Sequence, residues 1–417
     1  MPDACPPSPC KSHRPWRWCG ASLAASVVVL TACSGVAPPG PQLSSTGLAT
    51  PPALRLIGTA AIAAGTEVLG TTFGGISGID YDPAQGRWLL ISDDRSALQP
   101  ARVYTATLRY TATHLETPTI TGTAPLRQAS GAPYPSPRQA KPGVDVPDAE
   151  AVRWLPGGQT FLWTSEGDFA RGFGPQWRES QADGAWVREL PLPAAFGQVP
   201  GLRRGPRANA TLEGLALSPD GGTAWLAMET AWIQDGPRPT PTAPGGPVRI
   251  TAMDVASGRP LRQIAYVPGA VPRARRIPWG PQLNGVSEVL ADGPHHLLVL
   301  ERGYSAGAGF SARLYRIDTR AGSDTLALDA LQTEGARTHT TVPKTLVADL
   351  DHLGAGALDN LEGMAWGPPL AGGGRVIVFV SDDNFNPAQA TQFIAAEYRD
   401  TAAVPSAPSA PPERAAP

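Results

Sequence analysis

The chain has 417 residues, of which 42% are apolar, and its formal charge at pH 7 is -2. It is therefore long enough to bury a large core, and its balanced charge predicts no nucleic-acid partner. All four cysteines lie at or before position 33. The rest of the chain consequently has no thiol for a disulfide, a thiolate metal site or a cysteine nucleophile.

The first 32 residues have the layout of an export signal. Three basic residues precede an apolar run at 21–30, which is too short to span a bilayer. The sequence LTAC that follows, ending at Cys33, resembles a bacterial lipoprotein box, and Ser34 resembles the outer-membrane sorting pattern. The resemblance implies that Cys33 is lipidated, so that the protein faces the periplasm or the cell surface and touches the outer membrane through its lipid anchor alone. The alternative is a plain secretory signal that is cleaved near small residues.

Composition separates the remaining chain into a folded segment and two flanks. Residues 34–52 are rich in Pro, Gly, Ser and Thr, and residues 401–417 are mostly Ala, Pro and Ser. Neither flank has the apolar content to form a packed core. We therefore expect a lipoprotein signal peptide at 1–32, an acylated cysteine and flexible tether at 33–52, a folded domain at 53–400 and a disordered tail at 401–417.

The folded segment starts with one strand candidate from Ala53 and then repeats a pair of apolar strands five times. The first strand of each pair carries Glu or Ser near its start, and the second closes on a carboxylate 14–20 residues later. The first markers are Ser77, Glu150, Glu213, Ser287 and Glu362; the second markers are Asp93, Glu166, Glu229, Glu301 and Asp382. Because the pairs recur every 63–75 residues, the chain is predicted to be a repeat protein.

Each pair is predicted to be a β-hairpin, because Gly, Pro and Asp clusters lie between its two strands. Further strand candidates follow the pairs: RVYTATLRY and TPTITGTAPL in the first unit, AWVRELPLP in the second, VRITAMDV and LRQIAYVPG in the third, RLYRID and TLALDAL in the fourth, and TQFIAAEY in the fifth. Four antiparallel strands per unit, repeated around a ring, describe a β-propeller. The strand from Ala53 would complete the last unit and close the ring.

This all-β prediction gives five countable four-stranded blades, and a sixth if the long insertions contain a degenerate unit. The alternatives are an extended β-solenoid and two β-sandwiches. A solenoid repeat is usually much shorter than roughly 70 residues. Two sandwiches would not explain five matched pairs of markers.

In a propeller, the start of the first strand and the end of the second lie at the same mouth of the central channel. The markers should therefore gather carboxylates, which are suitable ligands for a hard cation such as Ca²⁺ and raise one another's pKa. We predict metal ligands at Asp93, Glu166, Glu229, Glu301 and Asp382, catalytic acids at Glu150, Glu213 and Glu362, and anion contacts at Arg95, Arg204 and Arg302. The alternative is that each acid ties backbone amides of neighbouring blades. The doublets at 93–94 and 382–383 favour the functional interpretation, because one acid suffices for a tie.

Four motifs, three of them paired, carry a family resemblance. They are Gly75–Ile79 with Ser92–Asp94, Asp148–Ala151 with Ser165–Gly167, Asn209–Leu215, and Asn360–Met364 with Ser381–Asn384. At these motifs the chain resembles the Phytase-like family of bacterial exported proteins, named for an esterase-like activity of phytase, over roughly residues 70–398. The resemblance implies a β-propeller that hydrolyses phosphate or other esters. The fourth unit departs from the pattern, since Ser287 replaces the Glu of its neighbours.

The functional hypothesis is a lipid-anchored hydrolase that acts on a small anionic ester at an acidic mouth, with Ca²⁺ as the candidate cofactor. The competing hypothesis is a non-catalytic propeller that binds a ligand or an envelope partner with the same ring of acids. Turnover of an ester would distinguish the two.

Overall fold

The computed structural model describes residues 53–197, 203–332 and 339–399. The predicted signal peptide, Cys33, tether and tail lie outside these residues. Within them the protein is built almost wholly of β-strands, with four short 3-10 helices at Phe169–Arg171, Ala194–Phe196, Ile233–Asp235 and Leu350–His352. No helix in the described part of the chain is long and apolar enough to cross a membrane.

Five four-stranded antiparallel sheets account for nearly all of the strands. The chain starts with β1 (Ala53–Ala63) and a small hairpin of β2 (Glu67–Val68) and β3 (Thr71–Thr72). Blade 1 contains β4 (Ile76–Asp82), β5 (Arg87–Ser92), β6 (Arg102–Thr107) and β7 (Thr119–Pro125). Blade 2 contains β8 (Ala149–Trp154), β9 (Thr160–Ser165), β10 (Gln176–Gln181) and β11 (Trp186–Leu190).

The other three blades follow the same order. Blade 3 contains β12 (Leu212–Leu217), β13 (Thr223–Met228), β14 (Val248–Asp254) and β15 (Pro260–Tyr266). Blade 4 contains β16 (Gln282–Ala291), β17 (His296–Ser305), β18 (Gly309–Asp318) and β19 (Lys344–Asp349). Blade 5 contains β20 (Asn360–Gly367), β21 (Arg375–Asp382) and β22 (Ala390–Arg399), and takes β1 as its outer strand.

The blades close into a ring through their first strands. Each of β4, β8, β12, β16 and β20 contacts the first strand of the next blade, and β20 contacts β4. The register of β1 on β22 runs from Ala53 opposite Arg399 to Ala63 opposite Ala390. The predicted five-bladed propeller and its closure by the N-terminal strand are therefore confirmed for the described residues.

Two strand predictions were wrong. The outer strand of blade 4 is β19 and not TLALDAL, because that segment turns away to cover blade 3. There the amide of Thr325 donates to the carbonyl of Gln263, and the amide of Leu331 donates to the Asp235 carboxylate. Blade 2 also has a strand, β10, that was not predicted, since its polar sequence QWRESQ lacks a run of apolar residues.

Apolar side chains from adjacent blades form the core. The largest fully buried side chains include Trp88, Trp163, Trp177 and Trp232, which bury much apolar surface between sheets. Burial also extends to both faces of the inner strands, as in β8, where all six residues are buried. The inner strands therefore have little solvent-facing surface except where they meet the channel.

A buried ion pair lies on the axis of the ring. The Arg153 guanidinium donates to carbonyls on four different inner strands, those of Ile79, Val152, Val289 and Met364, at 2.7–3.1 Å. It also lies 2.8 Å from the Glu288 carboxylate. Because strands from around the ring converge on this one side chain, Arg153 closes the channel and leaves separate recesses at its two ends.

Candidate functional site

A bulge in every inner strand positions the first markers. In blades 1, 3, 4 and 5 the ladder between the first and second strands skips one residue, which is the marker itself, and in blade 2 the irregularity spans 150–151. A β-bulge bends its strand and redirects a side chain. The five markers are therefore redirected by one local device repeated around the ring.

Glycine follows the marker in three of the five bulges. At Gly78 an added Cβ would lie 2.8 Å from the carbonyl oxygen of Glu150, and at Gly214 it would lie 2.9 Å from the amide of Val289. These glycines let neighbouring inner strands approach closely, which a narrow ring requires. In blade 4 the same position is Glu288, whose side chain instead pairs with Arg153 on the axis.

The mouth cavity is a recess of about 580 Å³ at the end of the channel that carries the markers. Its walls include seven of the eight predicted acids and two of the three predicted arginines. They are Asp93, Glu150, Glu166, Glu213, Glu229, Glu362 and Asp382, with Arg95 and Arg302. The structure thus brings together most of the predicted side chains, while their chemical roles stay predictions.

Two predicted residues do not line this cavity. Glu301 accepts hydrogen bonds from the Tyr266 hydroxyl, the Lys344 ammonium, Asn284 and the amide of Gly269. Its carboxylate is therefore already satisfied by the fold. Arg204 pairs with the exposed Asp329 away from the cavity.

Five further polar residues line the cavity and were not predicted: Asp148, Asn209, Asn360, Asn384 and Arg238. Asp148 and Asn360 each precede a first marker by two positions, and Asn384 follows a second marker by two. Side chains two apart share a face of an extended strand, so this spacing could have revealed them. Arg238 lies in a long insertion with no such signal.

Two groups of acids could hold a cation. Carboxylate oxygens of Asp148, Glu150 and Glu166 all lie within 4.8 Å of one another, and so do those of Glu166, Glu213 and Glu229. Glu166 belongs to both groups. The five acids of these two groups are oxygen donors of the kind that hard cations prefer.

Several of these acids lack the partners that buried carboxylates need. Glu150 is 8% exposed and Glu213 is 7% exposed, yet neither has a hydrogen-bond donor or an ion-pair partner among the described residues. Within the same part of the chain, Oδ1 of Asp93 and Oε2 of Glu362 are buried and also lack hydrogen-bond partners. Unpaired buried carboxylates are costly, so the apo site is destabilising.

Several of the buried acids that line the cavity have raised pKa values. Burial, followed by the charge of Glu213, raises the pKa of Glu150 well above its usual range. Burial and then Glu166 do the same to the pKa of Glu213. Burial raises the pKa of Asp148 to about 6, although Arg95 opposes the shift. These carboxyl groups can therefore hold protons near neutral pH when no cation is present.

One arginine crosses the cavity and is held on both sides. The Arg302 guanidinium lies 3.0 Å from Glu362 and 3.7 Å from Glu229. Asn360 donates to Glu362 at 2.9 Å and to Asp382 at 3.2 Å. Burial disfavours the charge of Arg302, but Glu362 and Glu229 outweigh it and raise the pKa of the guanidinium. Glu362 thus fixes a permanent positive charge beside the unpaired acids.

The two acids of each doublet, at 93–94 and at 382–383, lie in different environments. Asp93 and Asp382 line the cavity. Asp94 instead accepts from three backbone amides of its own loop, and Asp383 accepts from the amides of Gly75 and Phe385. One acid of each doublet thus ties backbone amides, while the other lines the cavity, where its function stays a prediction.

The chain matches the model of the Phytase-like family, described as "Esterase-like activity of phytase", over residues 71–385. This span covers four complete blades and two of the four strands of the fifth. The chain belongs to the Phytase-like family. No curated protein gives a significant match to this Phytase-like chain.

Solved structures resemble this Phytase-like protein weakly. A Kuenenia stuttgartiensis hydrazine synthase is 14% identical, with 76% of this chain and 81% of that chain covered and a TM-score of 0.35. The catalytic domain of a Coprinopsis cinerea GH62 alpha-L-arabinofuranosidase is 9% identical, with 83% and 96% covered and a TM-score of 0.35. These scores are too low to support an argument about function.

Proposed function

We propose that this Phytase-like propeller binds a divalent cation, with Ca²⁺ as the best match, and hydrolyses a phosphoester or another ester at the mouth cavity. One observation carries the proposal: two groups of buried carboxylates share Glu166 and include Glu150 and Glu213, which have no partner among the described residues. A hard cation would satisfy these oxygens. The donor set, which is wholly oxygen, fits Ca²⁺ better than a metal that prefers nitrogen or sulfur.

Asp148, Glu150 and Glu166 would hold one cation, and Glu166, Glu213 and Glu229 could hold another. Bound there, the cation supplies Lewis acidity toward an ester oxygen and lowers the pKa of a coordinated water. Arg302, which Glu229 and Glu362 hold in place, would contact the anionic part of the substrate. Arg95 lies at the same wall, where it pairs with Asp168 at 2.6 Å.

Carboxyl groups with raised pKa values are suited to proton transfer. When only one of the two groups holds a cation, the acid outside that group, Glu213 or Glu150, stays unliganded. That acid could accept a proton from the attacking water and then donate it to the departing alkoxide as the ester bond breaks. Glu362 is assigned to the same catalytic group because its carboxylate orients Arg302 at 3.0 Å.

The test uses calcium calorimetry and a broad panel of phosphoesters and carboxylic esters on the purified protein. Glu166→Gln removes the acid shared by both groups, so we expect calcium affinity to fall at least about tenfold and hydrolysis to be lost. Glu67→Gln, an exposed carboxylate on β2, is the control and should change neither. Unchanged calcium binding and turnover in Glu166→Gln would contradict the assignment.

The non-catalytic alternative rests on a separate observation. The described residues that line the mouth cavity include no histidine, serine or cysteine, so a hydroxyl, thiol or imidazole nucleophile is missing among them. Binding of calcium and of a small anion, without turnover of any ester in the panel, would favour a ligand-binding or partner-binding propeller.

Export and lipidation belong to the same proposal. The LTAC sequence ending at Cys33 and the apolar run before it support an outer-membrane lipoprotein whose domain faces the periplasm or the cell surface. In cells, Cys33→Ala should abolish palmitate labelling and release the protein from the membrane fraction. Retained labelling would contradict the lipid anchor.

A further inference from the structure

A second cavity adjoins the mouth cavity and has a different chemical character. This side pocket measures about 420 Å³ and shares Asp93, Arg95 and Asn384 with the mouth cavity. The side chains of Leu98, Pro137 and Phe385 contribute to its walls. A molecule whose polar end occupies the mouth cavity therefore has an apolar recess directly beside it.

The exposure of Leu98 is built into the fold. This side chain is 54% exposed. The Asp94 carboxylate accepts from the amides of Ala97, Leu98 and Gln99 at 2.7, 3.0 and 2.9 Å. Asp94 is itself held by the buried Arg102. Leu98 is thus presented toward the pocket by a fixed loop.

The opposite wall is held by strained backbone. Asn384 and Phe385 both have φ of +49°, a left-handed conformation that is rare for a bulky residue such as Phe. Asp383 accepts from the Phe385 amide at 3.1 Å, and Asp382 accepts from the Asn384 amide at 2.6 Å. Strain of this kind persists where surrounding contacts enforce it, and it clusters at functional sites.

The charges around the side pocket are already compensated. Arg95 and Arg171 both pair with Asp168, and Arg95 also lies 3.5 Å from Asp148. These arginines therefore offer little net positive charge to a second anionic group. An apolar group would bury the surfaces of Leu98 and Phe385 without disturbing the ion pairs.

We propose that the side pocket binds the apolar alcohol portion of the ester substrate, so that the preferred substrates are monoesters of an aryl or similarly apolar alcohol. This inference rests on the proposed function, since the ester group itself would lie in the mouth cavity. The volume suffices, because a cavity of about 150 Å³ already accommodates benzene. Polyol polyphosphates are disfavoured, since they would place additional charges against Leu98 and Phe385.

The experiment compares phenyl phosphate with methyl phosphate on the purified full chain in a calcium-containing buffer. Dissociation constants come from calorimetry and kcat/KM from phosphate release, with myo-inositol hexakisphosphate as the polyanionic competitor. The wild type should prefer phenyl over methyl phosphate by about tenfold in affinity. Leu98→Asn and Phe385→Asn should each reduce this preference about fivefold and leave methyl phosphate binding unchanged.

Two features keep these variants interpretable. Leu98 is exposed, and Asn is better suited than Phe to the left-handed backbone at 385, so both variants should fold. Leu69→Asn is the matched control, because Leu69 is 55% exposed and lies outside both cavities. It should leave the phenyl-to-methyl ratio unchanged.

The outcomes separate this inference from the proposed function. Equal affinity for the two esters, preferred binding of the hexakisphosphate, or a ratio unaffected by both pocket variants overturns the side-pocket assignment. If phenyl phosphate binds in a Leu98-dependent manner but no ester is hydrolysed, the pocket assignment stands and the catalytic proposal fails. If neither ester binds, both are wrong.

Discussion

Two sets of buried acids surround the same channel and differ in what surrounds each carboxylate. Glu288 and Glu301 are buried, and each has partners: Glu288 an ion pair with Arg153 and the amides of Leu215 and Val289, Glu301 four donors that include Lys344. Glu150 and Glu213 are nearly as buried, but neither has a donor among the described residues.

Buried acids that have donors within the protein stabilise the fold, whereas buried acids without donors need a proton or a cation from solution. A buried carboxylate with donors is part of the structure, and its loss exposes partners that cannot be satisfied otherwise. A buried carboxylate without donors costs stability until a proton or a cation arrives. Removing an acid or its partner should therefore have opposite effects in the two sets.

The largest effect is expected at the paired set. Arg153→Met leaves Glu288 and several carbonyls without their common partner, so unfolding in denaturant should show a loss of about 3–5 kcal/mol. Arg399→Met, at an exposed arginine of β22, should stay within about 0.5 kcal/mol of the wild type. A loss below about 1 kcal/mol in Arg153→Met would show that the axial pair is not needed to join the blades.

Sequence periodicity was sufficient to predict the ring and most of the mouth cavity, because both depend on repeated strand positions. It failed where an interaction joins residues far apart in the chain. Glu301 occupies the same repeat position as Glu229, and its environment differs because Lys344, about 40 residues later, donates to it. Glu288 was overlooked because it lies one position after the fourth marker, where other blades have Gly or Ala.

The next largest effect is expected at Glu301 and Glu229, which occupy equivalent positions in adjacent blades. Glu301→Gln should cost about 1–3 kcal/mol in unfolding free energy, because Lys344 and Tyr266 lose a buried charged acceptor, and it should leave calcium affinity unchanged. Glu229→Gln should do the reverse, weakening calcium binding about tenfold with little loss of stability. Weaker calcium binding in Glu301→Gln would return this acid to the predicted metal ligands and remove the distinction between the two sets.

The smallest effect is expected at the unpaired set and depends on pH. Burial and neighbouring acids raise the pKa of Glu150 well above that of the unfolded chain, so between the two pKa values the folded state binds more protons than the unfolded state. Stability from this group is full below about pH 4.3 and is lost as the pH rises through the folded-state pKa.

Glu150→Gln removes that loss, so in chelator-treated protein it should be more stable than the wild type at pH 8 and equal to it at pH 4. Thermal unfolding of both proteins between pH 4 and pH 8 measures their difference in stability. Groups that titrate alike in both proteins do not contribute to this difference. Added calcium should reverse the order at pH 8, because a bound cation satisfies the wild-type carboxylate. If Glu150→Gln is less stable than the wild type without calcium, this acid has an intramolecular role and belongs with Glu288 and Glu301.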